Sequence, residues 1–214
     1  MSKLNRIVPK GLYAITDSGL IGESLIDSVE ATIHGGACVI QYRDKSVDQQ
    51  RRVEEATALK QLCRHHDVLF VINDDLELAA QISADGLHIG QDDGSLLEAR
   101  QQLGEDAIIG ISCYNSLELA IAAQEEGADY VAFGRFFSSN TKPDAVAADI
   151  ALLERAKESI KLPVVAIGGI TAENGAQLVE AGADMLAVIS DIFDRPTVSE
   201  ITAASQRFQP IFNI

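Results

Sequence analysis

Four short apolar runs in this chain each end in polar residues able to grip anionic oxygens or a divalent cation. Val39-Ile40 leads into Gln41-Tyr42-Arg43-Asp44-Lys45, Leu69-Phe70-Val71-Ile72 into Asn73-Asp74-Asp75, and Leu87-His88-Ile89 into Gly90-Gln91-Asp92-Asp93. Tyr130-Val131-Ala132-Phe133 leads through Gly134 to Ser138-Ser139-Asn140-Thr141-Lys142. Buried parallel strands read as continuous apolar runs, and ligands of α/β folds bind beyond their carboxyl ends. Gln41, Arg43 and Lys45 alternate, so an extended backbone would place them on one side. A guanidinium fork and an ammonium suit diphosphate oxygens, and Gln41 could hydrogen-bond a polar ring edge. The same stretch could instead be a charged loop in which Asp44 pairs locally.

Mg²⁺ takes one or two carboxylates together with phosphate oxygens and water. Asp74 fits as one such ligand, and Asn73 can donate to phosphate. Asp75 could cap the helix that begins at Leu76. Asp92-Asp93, at the next strand end, would supply the second carboxylate. Lys142 closes a hydroxyl-rich loop that reads either as a lid bringing a cation onto a leaving group or as a flexible surface loop. The apolar pair Phe136-Phe137 argues against plain disorder. Gly168-Gly169 after Ala166-Ile167, with Ser190 after the last apolar run, would let backbone amides approach a phosphate. His88 reads as a satisfied structural histidine, while His34, His65 and His66 fall near helix ends and read as solvated. No Ser-His-Asp set, Cys-His pair or zinc-spaced cluster stands out, so the chemistry should need no protein nucleophile.

These clusters need a scaffold that brings them together. His34-Gly35-Gly36-Ala37, Ser83-Ala84-Asp85-Gly86, Glu126-Gly127-Ala128-Asp129 and Ala181-Gly182-Ala183-Asp184 each precede an apolar run, like a helix end, a turn and a buried strand. Eight strands follow: about Gly11–Ile15, Cys38–Tyr42, Leu69–Ile72, Gly86–Ile89, Ile108–Ser112, Tyr130–Phe133, Val164–Ile167 and Met185–Ile189. Helical patterns start near Ser24, Asp48, Leu76, Ser95, Ser116, Asp149, Thr171 and Thr197, with Asp48, Asp149 and Thr171 as N-cap candidates. Eight strand–helix units make a (β/α)₈ TIM barrel in the α/β class, here as one domain over residues 1–214. An open doubly wound sheet is the alternative, but only closure gathers so many scattered strand ends.

Composition agrees. The 214 residues are 47% hydrophobic and 5% aromatic, a mix suited to helices layered on parallel strands. No apolar run approaches the roughly 20 residues of a membrane span, and residues 1–10 lack the apolar stretch of a secretory signal. Cys38, Cys63 and Cys113 are an odd number without metal-ligand spacing, which suggests reduced cytoplasmic thiols. A net charge of −15 argues against nucleic acid or an anionic membrane as partner. An acidic protein that binds an anion must concentrate its few cations locally, and Arg43, Lys45 and Lys142 are the candidates.

Taken in order, these residues resemble the thiamine phosphate synthase family along nearly the whole chain, from Gly11-Leu12-Tyr13-Ala14-Ile15-Thr16-Asp17 to Val188-Ile189-Ser190. The matching elements are Gln41 to Lys45, Asn73-Asp74-Asp75, His88-Ile89-Gly90-Gln91 with Asp93, Ser139-Asn140-Thr141-Lys142 and Ile167-Gly168-Gly169-Ile170. The resemblance implies condensation of 4-amino-2-methyl-5-hydroxymethylpyrimidine diphosphate with hydroxyethylthiazole phosphate, giving thiamine phosphate and diphosphate. It assigns Gln41, Tyr42, Arg43, Asp44, Lys45, Asn73, Ser112 and Lys142 to the pyrimidine diphosphate. It assigns Ser139, Asn140, Thr141, Gly169, Ile189 and Ser190 to the thiazole phosphate, and Asp74 and Asp93 to Mg²⁺. Arg43, Lys45 and Lys142 would act on the leaving group. Many family members have Gly-Pro and then Pro-Thr in the loop after strand six, where this chain has Gly134-Arg135 and Ser138-Ser139. Ser138 in place of proline should loosen that loop. Arg135 would either add charge to the site or face water.

The rival readings are a thiazole tautomerase-like isomerase and a sensing barrel that binds thiamine phosphates without turnover. Neither needs the full set of Arg43, Lys45, Asp74, Asp93 and Lys142. The expected partners are therefore small-molecule substrates, with a homo-oligomer left open.

Overall fold

The repeated pairing of apolar run and helix closes into a parallel barrel with strand order β1-β2-β3-β4-β5-β6-β7-β8. The computed structural model describes residues 8–21, 24–90, 93–138 and 146–213. Its elements begin with β1 (Gly11–Ile15), α1 (Ser18–Ile21), α2 (Leu25–His34), β2 (Ala37–Tyr42), α3 (Gln49–His65), β3 (Leu69–Asn73) and α4 (Leu76–Ile82). They continue with β4 (Gly86–Ile89), α5 (Leu96–Leu103), β5 (Ile108–Tyr114), α6 (Leu117–Glu126), β6 (Tyr130–Phe133) and α7 (Ala151–Ser159). The last are β7 (Val164–Ile167), α8 (Ala176–Glu180), β8 (Met185–Val188), α9 (Ser190–Phe193) and α10 (Val198–Gln206), before a 3₁₀ turn at Gln209–Phe212. The ring shuts where β1 pairs with β8, Gly11 facing Met185 and Ala14 facing Val188.

Side-chain alternation divides the apolar residues between two cores. Tyr13, Val39, Val71, Ile108, Tyr130 and Met185 fill the barrel interior. Leu12, Ile40, Phe70, Ile72, Ile109 and Leu186 point outward and pack under the helices. Each fully buried Leu, Ile or Phe contributes about 1.5–3 kcal/mol over its exposed state. No helix among the described residues is long and apolar enough to cross a membrane.

The repeated aspartates at the helix-to-strand junctions have a shared task that explains the sequence repeat. Asp85 Oδ2 accepts from the Phe70 amide at 3.3 Å, Asp129 Oδ2 from Ile109 at 2.7 Å and Asp184 Oδ2 from Val164 at 3.0 Å. Each carboxylate sits just before one strand and latches the start of the strand preceding it. Arg100 adds an ion pair to Asp129 at 2.8 Å. These latches satisfy amides at the end of the barrel where the strands begin.

Most helix starts obey their sequence signals. Asp48, Asp75, Ser95, Ser116 and Thr197 each accept from an amide three residues on. Two expected starts move. Thr171 does not open a helix: Asn174 Oδ1 accepts from the Thr171 amide at 2.8 Å, closing a side-chain turn that delays α8 to Ala176. Asp149 accepts from the Ala151 amide at 3.2 Å, but Ile150 occupies the cap position of α7. At strand ends, β5 extends to Tyr114, and β8 stops at Val188 because Ile189 caps α9.

Asp129→Ala should leave the buried Ile109 amide unsatisfied and lower stability by about 1–3 kcal/mol. Urea unfolding followed by circular dichroism would register this as a lower midpoint with an unchanged slope.

Candidate active site

A cavity of about 490 Å³ opens at the carboxyl ends of the strands. Gln41, Arg43 and Lys45 line it, as their alternation predicted. Tyr42 and Asp44 do not, which departs from their expected substrate role. Alternation turns them to the other side, where the Tyr42 hydroxyl donates to Glu55 Oε2 at 2.7 Å. Asp44 accepts from the Ser46 amide at 2.8 Å and pairs with Arg51 at 2.6 Å. Burial alone would push the Asp44 carboxyl up, but the Ser46 amide and hydroxyl and the Arg51 guanidinium together hold it below its ordinary value. Tyr42 and Asp44 thus fix the loop that presents Arg43 and Lys45.

Arg43 is braced from β1's end. Its Nη1 donates to Asp17 Oδ2 at 2.8 Å, and its amide donates to Thr16 Oγ1 at 2.9 Å. Asn73, Asp74 and Asp93 also line the cavity. Asn73 Nδ2 donates to Asp74 Oδ2 at 2.5 Å. Asp74 has φ of 61°, a left-handed conformation unusual for a residue with a side chain. Its neighbour Asp75 caps α4 and pairs with Arg52 at 2.6 Å, so the two adjacent aspartates divide chemistry from architecture.

Gly90 separates the two cavity carboxylates. A Cβ there would collide with Asp93 Oδ2 and meet Asp74 Oδ1 at 3.7 Å. Two carboxylates converging beside cations and a side-chain-free backbone suit Mg²⁺ with phosphate oxygens completing its shell. Asp74 and Asp93 are the residues that could hold it.

A hydrogen-bonded row that the sequence did not announce runs beneath the cavity, which Gln41, Tyr13, His88 and Ser112 line while Tyr130 stays buried. Gln41 Nε2 donates to the Tyr13 hydroxyl at 2.8 Å, and the Tyr13 and Tyr130 hydroxyls share a 2.8 Å bond. His88 continues the row, with Nδ1 at 3.1 Å from the Tyr130 hydroxyl and Nε2 at 2.9 Å from Ser112 Oγ. His88 is the satisfied histidine expected, and it also faces the cavity, stacked on Tyr130. Gly110 makes room for that ring, since a Cβ there would collide with it. Burial raises both phenols above their ordinary range, so they stay neutral. Their inward positions on β1 and β6 were the available signal.

Two further arginines enter. Arg135 lines the cavity, which resolves its two expected placements in favour of the site. Arg195, unremarked in the sequence, also lines it and pairs with Asp191 at 3.0 Å. Gly169, Ile189 and Ser190 line the cavity on the side of β7 and β8. Gly168 and Gly169 have positive φ, and Cβ atoms on them would strike Arg135 and Ser138. Their lack of side chains therefore lets the loop after β6 lie against β7, where Phe136 and Phe137 donate to Ile167 O and Gly168 O at 3.2 and 2.9 Å. Phe136 is buried there, as its apolar pair suggested. Ser139, Asn140, Thr141 and Lys142, and also Gln91 and Asp92, lie outside the described residues.

Residues 12–192 match the family model for thiamine monophosphate synthase. The chain is 50% identical over 206 residues to a thiamine-phosphate synthase of Nitrosococcus oceani, covering 96% of this chain and 95% of that one. It is 53% identical over 202 residues to one from Thiobacillus denitrificans, with 94% and 96% covered. Among solved structures it resembles a thiamine phosphate pyrophosphorylase from Pyrococcus furiosus, with TM-score 0.85, 34% identity and 95% of each chain covered.

Asp44→Asn should weaken the hold on Ser46 and Arg51 and lower stability by about 1–3 kcal/mol at neutral pH. Because the folded carboxyl titrates below its unfolded value, that contribution is present above about pH 4 and fades as pH falls through the folded value. The wild type and variant should therefore converge in urea midpoint when unfolding is repeated in progressively more acidic buffer.

Proposed function

The chain belongs to the thiamine monophosphate synthase family, and on that premise we propose that its cavity joins the substrates by dissociative substitution at a magnesium-bound diphosphate. The enzyme is a transferase that condenses 4-amino-2-methyl-5-hydroxymethylpyrimidine diphosphate with hydroxyethylthiazole phosphate. One observation carries the mechanism: Asp74 and Asp93 meet beside Gly90 while Arg43 and Lys45 line the same cavity.

Magnesium held by Asp74 and Asp93 would supply positive charge against the diphosphate oxygens. Arg43, braced by Asp17, and Lys45 face those oxygens from β2, and Lys142 is assigned as the third cation. As the methylene C–O bond lengthens, its electron pair passes to the diphosphate, and charge grows where these cations stand. They stabilise that charge more in the transition state than in the ground state. The electron-rich aminopyrimidine supports the cationic methylene, and the lone pair of the thiazole nitrogen forms the new C–N bond. No residue has to accept a proton. The side chains agree with this, since Tyr13 and Tyr130 are held neutral and both His88 nitrogens are engaged.

Gln41, Asn73 and Ser112 would orient the pyrimidine above the tyrosine row. Gly169, Ile189 and Ser190, with Ser139, Asn140 and Thr141, would hold the thiazole phosphate. Arg135 and Arg195 add cations beside that wall. Cys38, Cys63 and Cys113 are free thiols, in keeping with a cytoplasmic enzyme.

Steady-state assays over a magnesium titration test this assignment. Asp74→Asn and Asp93→Asn should each raise the magnesium requirement by about 10–100-fold. Arg43→Ala should lower kcat/KM for the pyrimidine diphosphate by about 10²–10³-fold. An unchanged magnesium dependence in both aspartate variants would remove those residues from the metal site.

A further inference from the structure

Three of the chain's four histidines gather at the barrel end opposite the cavity, where the strands begin. His34 is the last residue of α2, and His65 and His66 end α3. The His66 ring stands edge-to-face with both others, its centroid 5.3 Å from His34 and 5.0 Å from His65. Glu30 lies one helical turn before His34, on the same face of α2. Its Oε1 is 3.9 Å from His66 Nε2, too far for a hydrogen bond. That Nε2 is buried and has no hydrogen-bond partner among the described residues. His66 is thus only partly solvated, its side chain 23% exposed, and a native buried nitrogen left in this state needs an explanation.

We propose that Glu30, His34 and His66 form a binding site for one divalent transition-metal ion of the zinc type, tying the carboxyl end of α2 to that of α3. One ligand atom from each of the three lies within 4.8 Å of the others. Two imidazoles and a carboxylate are a donor set suited to Zn²⁺, Ni²⁺ or Cu²⁺, and poorly suited to Mg²⁺, which prefers oxygen. Ligands about 2.0–2.1 Å from a tetrahedral ion stand closer together than these atoms do. The half-exposed side chain of Glu30 and the exposed one of His34 supply the freedom to close in on His66.

The surroundings favour a cation. Both helices end here, and the carboxyl terminus of a helix carries about half a negative charge from its aligned peptide dipoles. The chain is acidic overall, at −15. No cysteine contributes a ligand atom to this cluster among the described residues. The site shares no residue with the cavity, so its occupancy is separable from the magnesium chemistry.

Calorimetric titration of the full chain with zinc chloride, in saturating magnesium chloride, tests the site directly. One ion per chain should bind in the micromolar range and raise the melting temperature, since a ligand specific for the folded state stabilises it. His34→Ala, at an exposed position that should not disturb folding, should weaken zinc binding by about 100-fold or more, and Glu30→Gln should weaken it by about 10-fold or more. Co²⁺ should give visible bands without a thiolate charge-transfer band. Absence of zinc binding, unchanged affinity in His34→Ala, or a thiolate band with Co²⁺ would each overturn the proposal.

Discussion

The pairing of β1 with β8 turns eight parallel strands into a ring, and the rest of the molecule follows from that closure. In an open sheet, Thr16 and Asp17 would lie far from the last strands. In the ring they stand between Arg43 and the wall formed by Ile189 and Ser190. Closure depends on alternation, because every second side chain must fit an interior of fixed width. That interior holds mostly branched residues, with Tyr13 and Tyr130 meeting across it and Gly110 yielding space to the second ring. The aspartate latches at the lower end align neighbouring strands in the same register that gathers the functional ends at the top.

Charge is distributed with the same economy. A chain of net −15 cannot attract a diphosphate through its overall field, so attraction has to be local. Acids do much of the local arrangement. Asp17 aims Arg43, Asp44 pins Arg51 and the loop before α3, Asp75 holds Arg52, and Asp191 holds Arg195. Each of these carboxylates has a basic partner. Asp74 is set apart from its neighbour by its left-handed backbone, facing the cavity where Asp93 approaches it beside Gly90. Preorganised charge of this kind does not have to reorient as the leaving group departs, which is the property electrostatic catalysis requires.

Much of the fold was legible in the sequence because its signals are local. Strands β1, β4, β6 and β7 have the bounds their apolar runs imply, and capping side chains mark the starts of α3, α4, α5, α6 and α10. The departures arise where tertiary contacts decide. Asn174 captures the Thr171 amide in place of a helix cap, and Ile189 leaves β8 to open α9. In the site, period-two alternation correctly separates Gln41, Arg43 and Lys45 from Tyr42 and Asp44, whereas family resemblance alone grouped all five. The tyrosine row joins residues 117 positions apart, which no local window can reveal. Gly168 and Gly169 line the cavity as a phosphate-binding pair would, but the sequence alone does not reveal that their bare Cα atoms also admit the loop after β6. The histidine cluster was invisible for a similar reason, since His34 and His66 meet only once α2 packs on α3.

The central claim is that the cavity recognises diphosphate and magnesium as one unit, through carboxylates on one part and cations on the other. Calorimetric titration with inorganic diphosphate, in magnesium and then in excess chelator, examines that coupling without requiring turnover. The account predicts that each ligand tightens the other, so diphosphate affinity should fall at least tenfold without magnesium, or about 1.4 kcal/mol. Equal diphosphate affinity in magnesium and in chelator would contradict it.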